Sequence, residues 1–276
     1  MIELFKKDIK TLDRKSSKGN QLKFERDRVW YKVDSVGYEG LAECVTSALL
    51  HNSSLDEIEY TDYAYETIVY NGNRYRGCKS KDFTKGWTLI TLERLFMQTY
   101  GVSLNKMIYS TSDHEERLRL LVDNTERITG IKGFGVYMNK LLTLDALFLN
   151  EDRHTHNIAV LMNNKKQFRL CPIFDNGAAL LSDTTMDYPL GRDVYELMKR
   201  TKARTFSESF EEQLEISEKL YGSNISFSYT EHEILAATAE LCDYSDEEKE
   251  RTNEILLQMK RKYSYLFIRV NIDSEK

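Results

Sequence analysis

The sequence predicts an α+β protein in which a small β-rich lobe with one helix precedes a larger, mainly helical lobe. Two patterns carry this. Apolar residues alternate with polar ones through the N-terminal part, and the period then lengthens to that of amphipathic helices. The dipeptide Asn71-Gly72 between two strand-like runs adds a strong hairpin signal. At 276 residues the chain is long enough for one large domain or two packed lobes, and 41% hydrophobic residues supply a core.

Residues 22–35 read as two short strands, with Leu22, Phe24, Val29, Tyr31 and Val33 on the apolar side. Residues 38–50 place Leu41, Cys44, Val45, Ala48 and Leu49 at helical spacing. Residues 61–70 and 73–78 read as strands, which makes a sheet of about five strands packed with one helix. This lobe spans 1–82, and the second spans 83–276. In the second, 89–99, 115–129 and 137–149 read as helices. Residues 158–162 and 168–174 read as short strands, and 193–202, 206–220 and 231–242 as helices. A long charged helix over 245–269 opens with the capping pattern Ser245-Asp246-Glu247-Glu248.

Several function classes are disfavoured. A net charge of −5 gives no global basic footprint for direct nucleic-acid binding. No apolar run approaches the roughly 18 residues of a membrane span, and Met1-Ile2-Glu3-Leu4-Phe5-Lys6-Lys7 lacks a signal-peptide core. Cys44, Cys78, Cys171 and Cys242 are far apart and set among apolar neighbours, which reads as buried thiols in a reducing compartment. A cytoplasmic location follows.

The chemistry concentrates in Asn150-Glu151-Asp152-Arg153-His154-Thr155-His156-Asn157 and in Pro172-Ile173-Phe174-Asp175-Asn176-Gly177. Asp152 is a candidate to orient an attacking hydroxyl. Asn157 and Asp175 offer hard oxygen ligands suited to Mg²⁺. His154 lies between them and can brace the loop or reach a phosphate. His154 and His156 also raise a transition-metal site, although no third nitrogen or sulfur ligand stands nearby. Upstream, Ser16-Ser17-Lys18-Gly19-Asn20-Gln21-Leu22-Lys23 is a small polar loop entering a strand, able to lay N–H groups against phosphate oxygens. Lys32 on a half-buried strand and Glu43 on the helix form a candidate ion pair that would orient the lysine toward α/β-phosphates. An adenine-contacting hinge is placed near Cys78, Lys79 and Ser80. Together these residues are the set that phosphoryl transfer from ATP requires, and a β-rich lobe before a helical one is the bilobal, protein-kinase-like layout.

With these motifs assembled, the chain resembles the HipA-type serine/threonine kinases over roughly 14–215. The family's Ser-x-x-Gly-x-Gln-x-Lys loop matches Ser16, Gly19, Gln21 and Lys23. Its ATP lysine and helix glutamate match Lys32 and Glu43. Its Asp-x-His-x-x-Asn motif matches Asp152, His154 and Asn157, and its metal-binding aspartate matches Asp175. The resemblance implies ATP and Mg²⁺ as cofactors, with Asp152 and His154 catalytic. Asn157 and Asp175 would hold the metal, and Ser17, Lys18, Gly19, Gln21, Lys32, Glu43, Cys78 and Ser80 would hold the nucleotide. It further implies a protein substrate with a Ser/Thr acceptor, autophosphorylation at Ser16 or Ser17, and action as a bacterial toxin or as an effector without a visible signal. The family's toxins dock an antitoxin on an N-terminal β-rich subdomain. Only about fifteen residues precede Ser16, so the chain looks like the compact, stand-alone members. A phosphatidylinositol-type lipid kinase or a small-molecule kinase remains the alternative, because Asp-Arg-His-x-x-Asn also occurs there and Arg192, Lys199, Arg200, Lys202 and Arg204 cluster downstream.

Overall fold

The computed structural model describes residues 1–10 and 21–268. In chain order the strands and α-helices are β1 (Ile2–Leu4), β2 (Lys23–Arg26), β3 (Val29–Val33), α1 (Glu39–Leu50), β4 (Ala64–Tyr65), β5 (Ile68–Tyr70), β6 (Asn73–Tyr75), β7 (Gly77–Lys81), β8 (Thr88–Thr91), α2 (Leu92–Tyr100), α3 (Leu104–Ile108), α4 (His114–Thr129), α5 (Phe134–Phe148), β9 (Ala159–Met162), β10 (Phe168–Leu170), α6 (Val194–Arg200), α7 (Phe210–Tyr221), α8 (Glu231–Ala239) and α9 (Asp246–Lys262). The fold is a mixed α+β one. By backbone proximity it divides into two compact units. The first takes the described residues of Met1–Lys81, Asn176–Lys199 and Ile225–Lys276, and the second takes Asp82–Asp175 and Arg200–Asn224.

In the first unit the strands form two sheets rather than the single sheet of about five strands expected. One is four-stranded in the order β2-β3-β7-β4, and the other is three-stranded in the order β1-β5-β6. The split arises because β1, too short to signal itself, pairs in parallel with β5 and draws the hairpin to itself. Asn71 and Gly72 turn that hairpin with φ of 51° and 77°, the left-handed pair a two-residue loop demands. Phe24, Tyr31, Val33, Leu4 and Ile68 form a shared core between the sheets. Gly77 is needed where β7 pairs with the end of β3, since a Cβ there would sit 2.0 Å from the Lys32 carbonyl oxygen.

Helix α1 is buried along nearly its whole length. Its start is held by the hydrogen bonds of two acids. Asp34 Oδ1 accepts the Gly40 N–H at 2.6 Å and its Oδ2 accepts the Tyr244 hydroxyl at 2.9 Å. The Glu39 carboxylate accepts three successive N–H groups, from Ser35, Val36 and Gly37. Arg76 forks onto both oxygens of Glu248 in the first turn of α9, which carries the expected Ser245–Glu248 capping box.

In the second unit, β8, β9 and β10 form an antiparallel sheet, and Ala159, Leu161 and Cys171 pack against Phe83, Trp87, Leu89 and Phe174. The helix expected over 89–99 begins at Leu92 instead. Thr88–Thr91 pairs with β9, and Thr91 caps the helix by accepting the Arg94 N–H. Helix α5 is apolar around most of its circumference and packs on α7, where Asn139 donates to the Ser217 hydroxyl at 3.0 Å. Cys44, Cys78 and Cys171 are buried as expected, but Cys242 is exposed, within the α8–α9 connection.

Burial pushes the Asp34 carboxyl up to about 7, with the neighbouring Glu39 charge adding to the rise and the Gly40 and Tyr244 hydrogen bonds and Arg76 opposing it. A folded-state value above the unfolded one means that this carboxyl's contribution to stability is fully present below the ordinary aspartate value of 3.8 and is lost as pH rises through about 7. We predict that Asp34→Asn removes this decline. Urea unfolding measured from pH 4 to 8 should show wild type losing up to ~1.4 kcal/mol per pH unit on this account relative to the variant. Parallel curves for the two proteins would exclude the assignment.

Candidate functional site

The candidate residues fall in both units. Ser16, Ser17, Lys18 and Gly19 lie outside the described residues.

In the first unit, Lys32 extends from β3 beneath α1. Its Nζ donates to Glu43 Oε1 at 2.5 Å, and the two side chains are 11% and 1% exposed. Burying both charges is tolerable only because they are paired. The other carboxylate oxygen, Oε2, accepts the Asn176 N–H at 2.9 Å, so Glu43 is held at both ends. Tyr63 flanks the lysine, its hydroxyl 3.3 Å from Nζ and its ring centroid 4.9 Å away. Gln21 donates its amide to the Val33 carbonyl at 3.0 Å, which fixes the chain entering β2. Cys78 sits opposite Lys32 in the sheet at 1% exposure, and burial pushes its thiol well up. Ser80, two residues on, lies opposite Trp30 and is also buried.

In the second unit, the loop bearing Asp152 follows α5. Leu149 ends the helix with φ of 54°, and Asn150 bonds back to the Asp145 carbonyl. The loop then turns on itself. The His154 N–H donates to the Asp152 carbonyl at 2.9 Å, and the Asn157 N–H donates to the His154 carbonyl at 2.7 Å. The Asn157 amide nitrogen donates to the Asp152 carbonyl at 2.9 Å and to its carboxylate at 3.2 Å. That arrangement orients Asp152 and leaves the Asn157 amide oxygen as the acceptor end, the atom a hard cation requires. His154 Nε2 lies 3.7 Å from Asp152 Oδ1, while its Nδ1 is buried with no hydrogen-bond partner among the described residues. Asp175 adopts φ of 64°, and its carbonyl accepts from the Asn150 amide at 3.4 Å. Asp152, Asn157 and Asp175 are all hard oxygen donors, so the set fits Mg²⁺. The rings of His154 and His156 meet edge-on at 5.4 Å, and among the described residues no group of three or more His, Cys, Asp or Glu side chains is arranged to hold a metal.

Two acids that organise this loop escape the sequence reading. Asp145, on the buried face of α5, pairs with the fully buried Arg153 at 3.1 Å. Arg153 Nη1 donates onward to the Asn157 carbonyl at 3.3 Å and to the Phe174 carbonyl at 2.7 Å. One guanidinium thus fixes the backbone beside both Asn157 and Asp175. Burial raises the Asp145 carboxyl to about 6, and the arginine charge pulls against that rise. Glu93, in the first turn of α2, accepts the Thr155 hydroxyl at 3.0 Å and the Asn105 N–H at 3.1 Å, and its hydrogen bonds hold it below the usual carboxylate range despite burial. Thr205 closes the loop from below by donating to the Arg153 carbonyl at 2.7 Å. The one available signal was Asp145 itself, a lone acid inside the run Leu144-Asp145-Ala146-Leu147, since a buried acid demands a partner.

We predict that Arg153→Met destabilises the protein by about 3–5 kcal/mol, because Asp145 is left charged and buried without its partner. The double variant Asp145→Leu/Arg153→Met should recover much of that loss in urea unfolding. A single variant within ~0.5 kcal/mol of wild type would rule out a buried ion pair here.

No family model matches the sequence, and no curated protein matches it. Solved structures do match. The proinflammatory kinase CtkA of Helicobacter pylori aligns over 95% of this chain and 95% of its own, with a TM-score of 0.61 and 17% identity. HipA of Shewanella oneidensis MR-1, solved with HipB and operator DNA, aligns over 98% of this chain and 65% of its own, with a TM-score of 0.46 and 12% identity. At these identities the likeness concerns fold: this chain has the α+β fold of the CtkA kinase.

Proposed function

We propose that the chain is an ATP-dependent serine/threonine protein kinase of the HipA-like type. The observation that carries this reading is the buried Lys32–Glu43 pair at 2.5 Å. A strand lysine held by a helix glutamate is the arrangement that presents an ammonium to the α/β-phosphates of ATP. The fold shared with the CtkA kinase agrees with it.

In this reading, residues 1–82 grip the nucleotide. Ser17, Lys18, Gly19 and Gln21 would serve the phosphates together with Lys32 and Glu43, and Cys78 and Ser80 would serve the adenine. Residues 83–276 supply the chemistry. Asn157 and Asp175 would hold Mg²⁺, which neutralises charge on the phosphates when bound. Asp152 orients the acceptor hydroxyl and takes its proton as the new P–O bond forms and the bond to ADP breaks. His154, beside Asp152, steadies that carboxylate. The acceptor is a protein Ser or Thr, and the loop serines Ser16 and Ser17 are acceptors within the chain itself. A dianionic phosphate there would repel the ATP phosphates and switch the enzyme off. Action as a bacterial toxin or effector belongs to the same reading.

Two expectations follow. Asp152→Ala should lower the rate of phosphoryl transfer by about 10²–10⁴-fold, and Asp175→Ala should in addition weaken Mg²⁺-dependent nucleotide binding. Wild-type turnover in Asp175→Ala would remove the metal assignment. Purified wild type incubated with Mg²⁺ and ATP should gain one phosphate, mapped by peptide mass to Ser16 or Ser17 and absent from Asp152→Ala. Transfer to phosphoinositide vesicles without any protein acceptor would instead establish a lipid kinase.

A further inference from the structure

The segment that follows Asp175 is held by a device the kinase motifs do not include. Residues 176–188 belong to the first unit and are bonded to Glu43 of α1 and Arg251 of α9. Leu180 and Leu181 both adopt left-handed backbone, φ 57° and 56°, and both are fully buried. Such a pair costs a few kcal/mol and persists only where the surroundings impose it. Here three anchors do so. The Tyr38 hydroxyl donates to the Leu180 carbonyl at 2.6 Å. Arg251, reaching in from α9, donates to the Leu181 carbonyl at 3.1 Å and to the Tyr188 carbonyl at 2.7 Å. The Val36 carbonyl accepts the N–H groups of Thr184 and Thr185, and the Ser182 carbonyl accepts that of Tyr38.

Arg251 is an expensive choice for this task. It is 5% exposed, and among the described residues it forms no ion pair and its buried Nε has no hydrogen-bond partner. An apolar side chain of similar length would spare the desolvation cost. What the guanidinium supplies is a rigid fork that fixes two carbonyls at once. The segment so fixed begins at Asn176, whose N–H holds Glu43 Oε2 while Oε1 holds Lys32.

We infer that Arg251 is a positioning residue for the Lys32–Glu43 pair, acting through the 176–188 segment. The inference rests on the kinase reading for its functional meaning. In kinases whose activation loop is ordered by phosphorylation, new arginine–phosphate pairs do the work. Here an arginine bonds the backbone directly, so the segment is set without a phosphate.

The test compares wild type, Arg251→Met, Arg251→Lys and Tyr38→Phe by amide hydrogen exchange and by steady-state kinetics with Mg·ATP. In Arg251→Met, exchange should rise at Asn176, Tyr38, Thr184 and Thr185 while the amides of α5 and α7 keep their wild-type protection. KM for ATP should rise about tenfold, the scale of one lost hydrogen bond to a charged group, with kcat little changed, because a phosphate-gripping lysine acts in the ground and transition states alike. Arg251→Lys should restore part of both effects. If Arg251→Met does not fold, Tyr38→Phe, which removes a single hydroxyl, should give the same pattern in smaller measure. Unchanged exchange at Asn176 in a folded variant, or a fall in kcat with KM unchanged, overturns the inference. If wild type transfers no phosphate, the kinase reading fails by itself, and the exchange pattern still decides whether Arg251 governs the Asn176–Glu43 contact.

Discussion

The candidate catalytic loop depends on one ion pair, Asp145 with Arg153. A fully buried guanidinium has five donors to satisfy and a large desolvation cost to offset. Asp145 offsets the charge, and the carbonyls of Asn157 and Phe174 take other donors. The geometric result is that the backbone before β9 and the backbone after β10 hang from one planar group. Asn157 and Asp175, the two candidate metal ligands, are each set by that group through their own or the adjacent carbonyl. A metal site assembled from two loops needs such a tie, because Mg²⁺ tolerates little error in ligand geometry.

The first unit solves a similar problem with a carboxylate. Glu43 is one side chain with two oxygens, one for Lys32 and one for the Asn176 N–H. Its position on α1 is determined in turn by the start of that helix. There Asp34 fastens Gly40, and Glu39 folds back on the N–H groups of Ser35, Val36 and Gly37. The helix N-terminus thus carries two acids where its dipole favours negative charge. Displacing that turn would carry Glu43 with it.

Much of this was legible in the sequence, for reasons that particular residues make plain. The β2–β3 pair alternates cleanly, Asn71-Gly72 permits little except a tight hairpin, and Ser245–Glu248 is a capping box by spacing alone. The proximity of Lys32 to Glu43, and of Asn157 to Asp152, follows from motif spacing. Other features had no local signal. Ile2–Leu4 is three residues long and becomes a strand only because β5 offers it an edge. Thr88–Thr91 is apolar at positions that suit a strand or a helix equally, and its pairing with β9, which lies far along the chain, decides the outcome. Asp145 and Glu93 act through partners 8 and 62 residues away, and only the folded chain reveals those distances as contacts.

Arg153 and Arg251 make a pair worth weighing together. Both are buried, and both end on backbone carbonyls of segments with left-handed residues nearby, Asp175 in one case and Leu180 and Leu181 in the other. Left-handed backbone in non-glycine residues turns carbonyls away from regular hydrogen-bonding ladders, and those carbonyls must then find donors. A guanidinium serves several at once, and its planarity transmits the constraint from one to the next. The cost differs between the two. Arg153 recovers its charge through Asp145, whereas among the described residues Arg251 meets the ring of Tyr38, 5.9 Å away, and carbonyl dipoles. The less compensated arginine is therefore the one whose presence calls for a role beyond stability, and the segment it grips leads directly to the residue that holds Glu43.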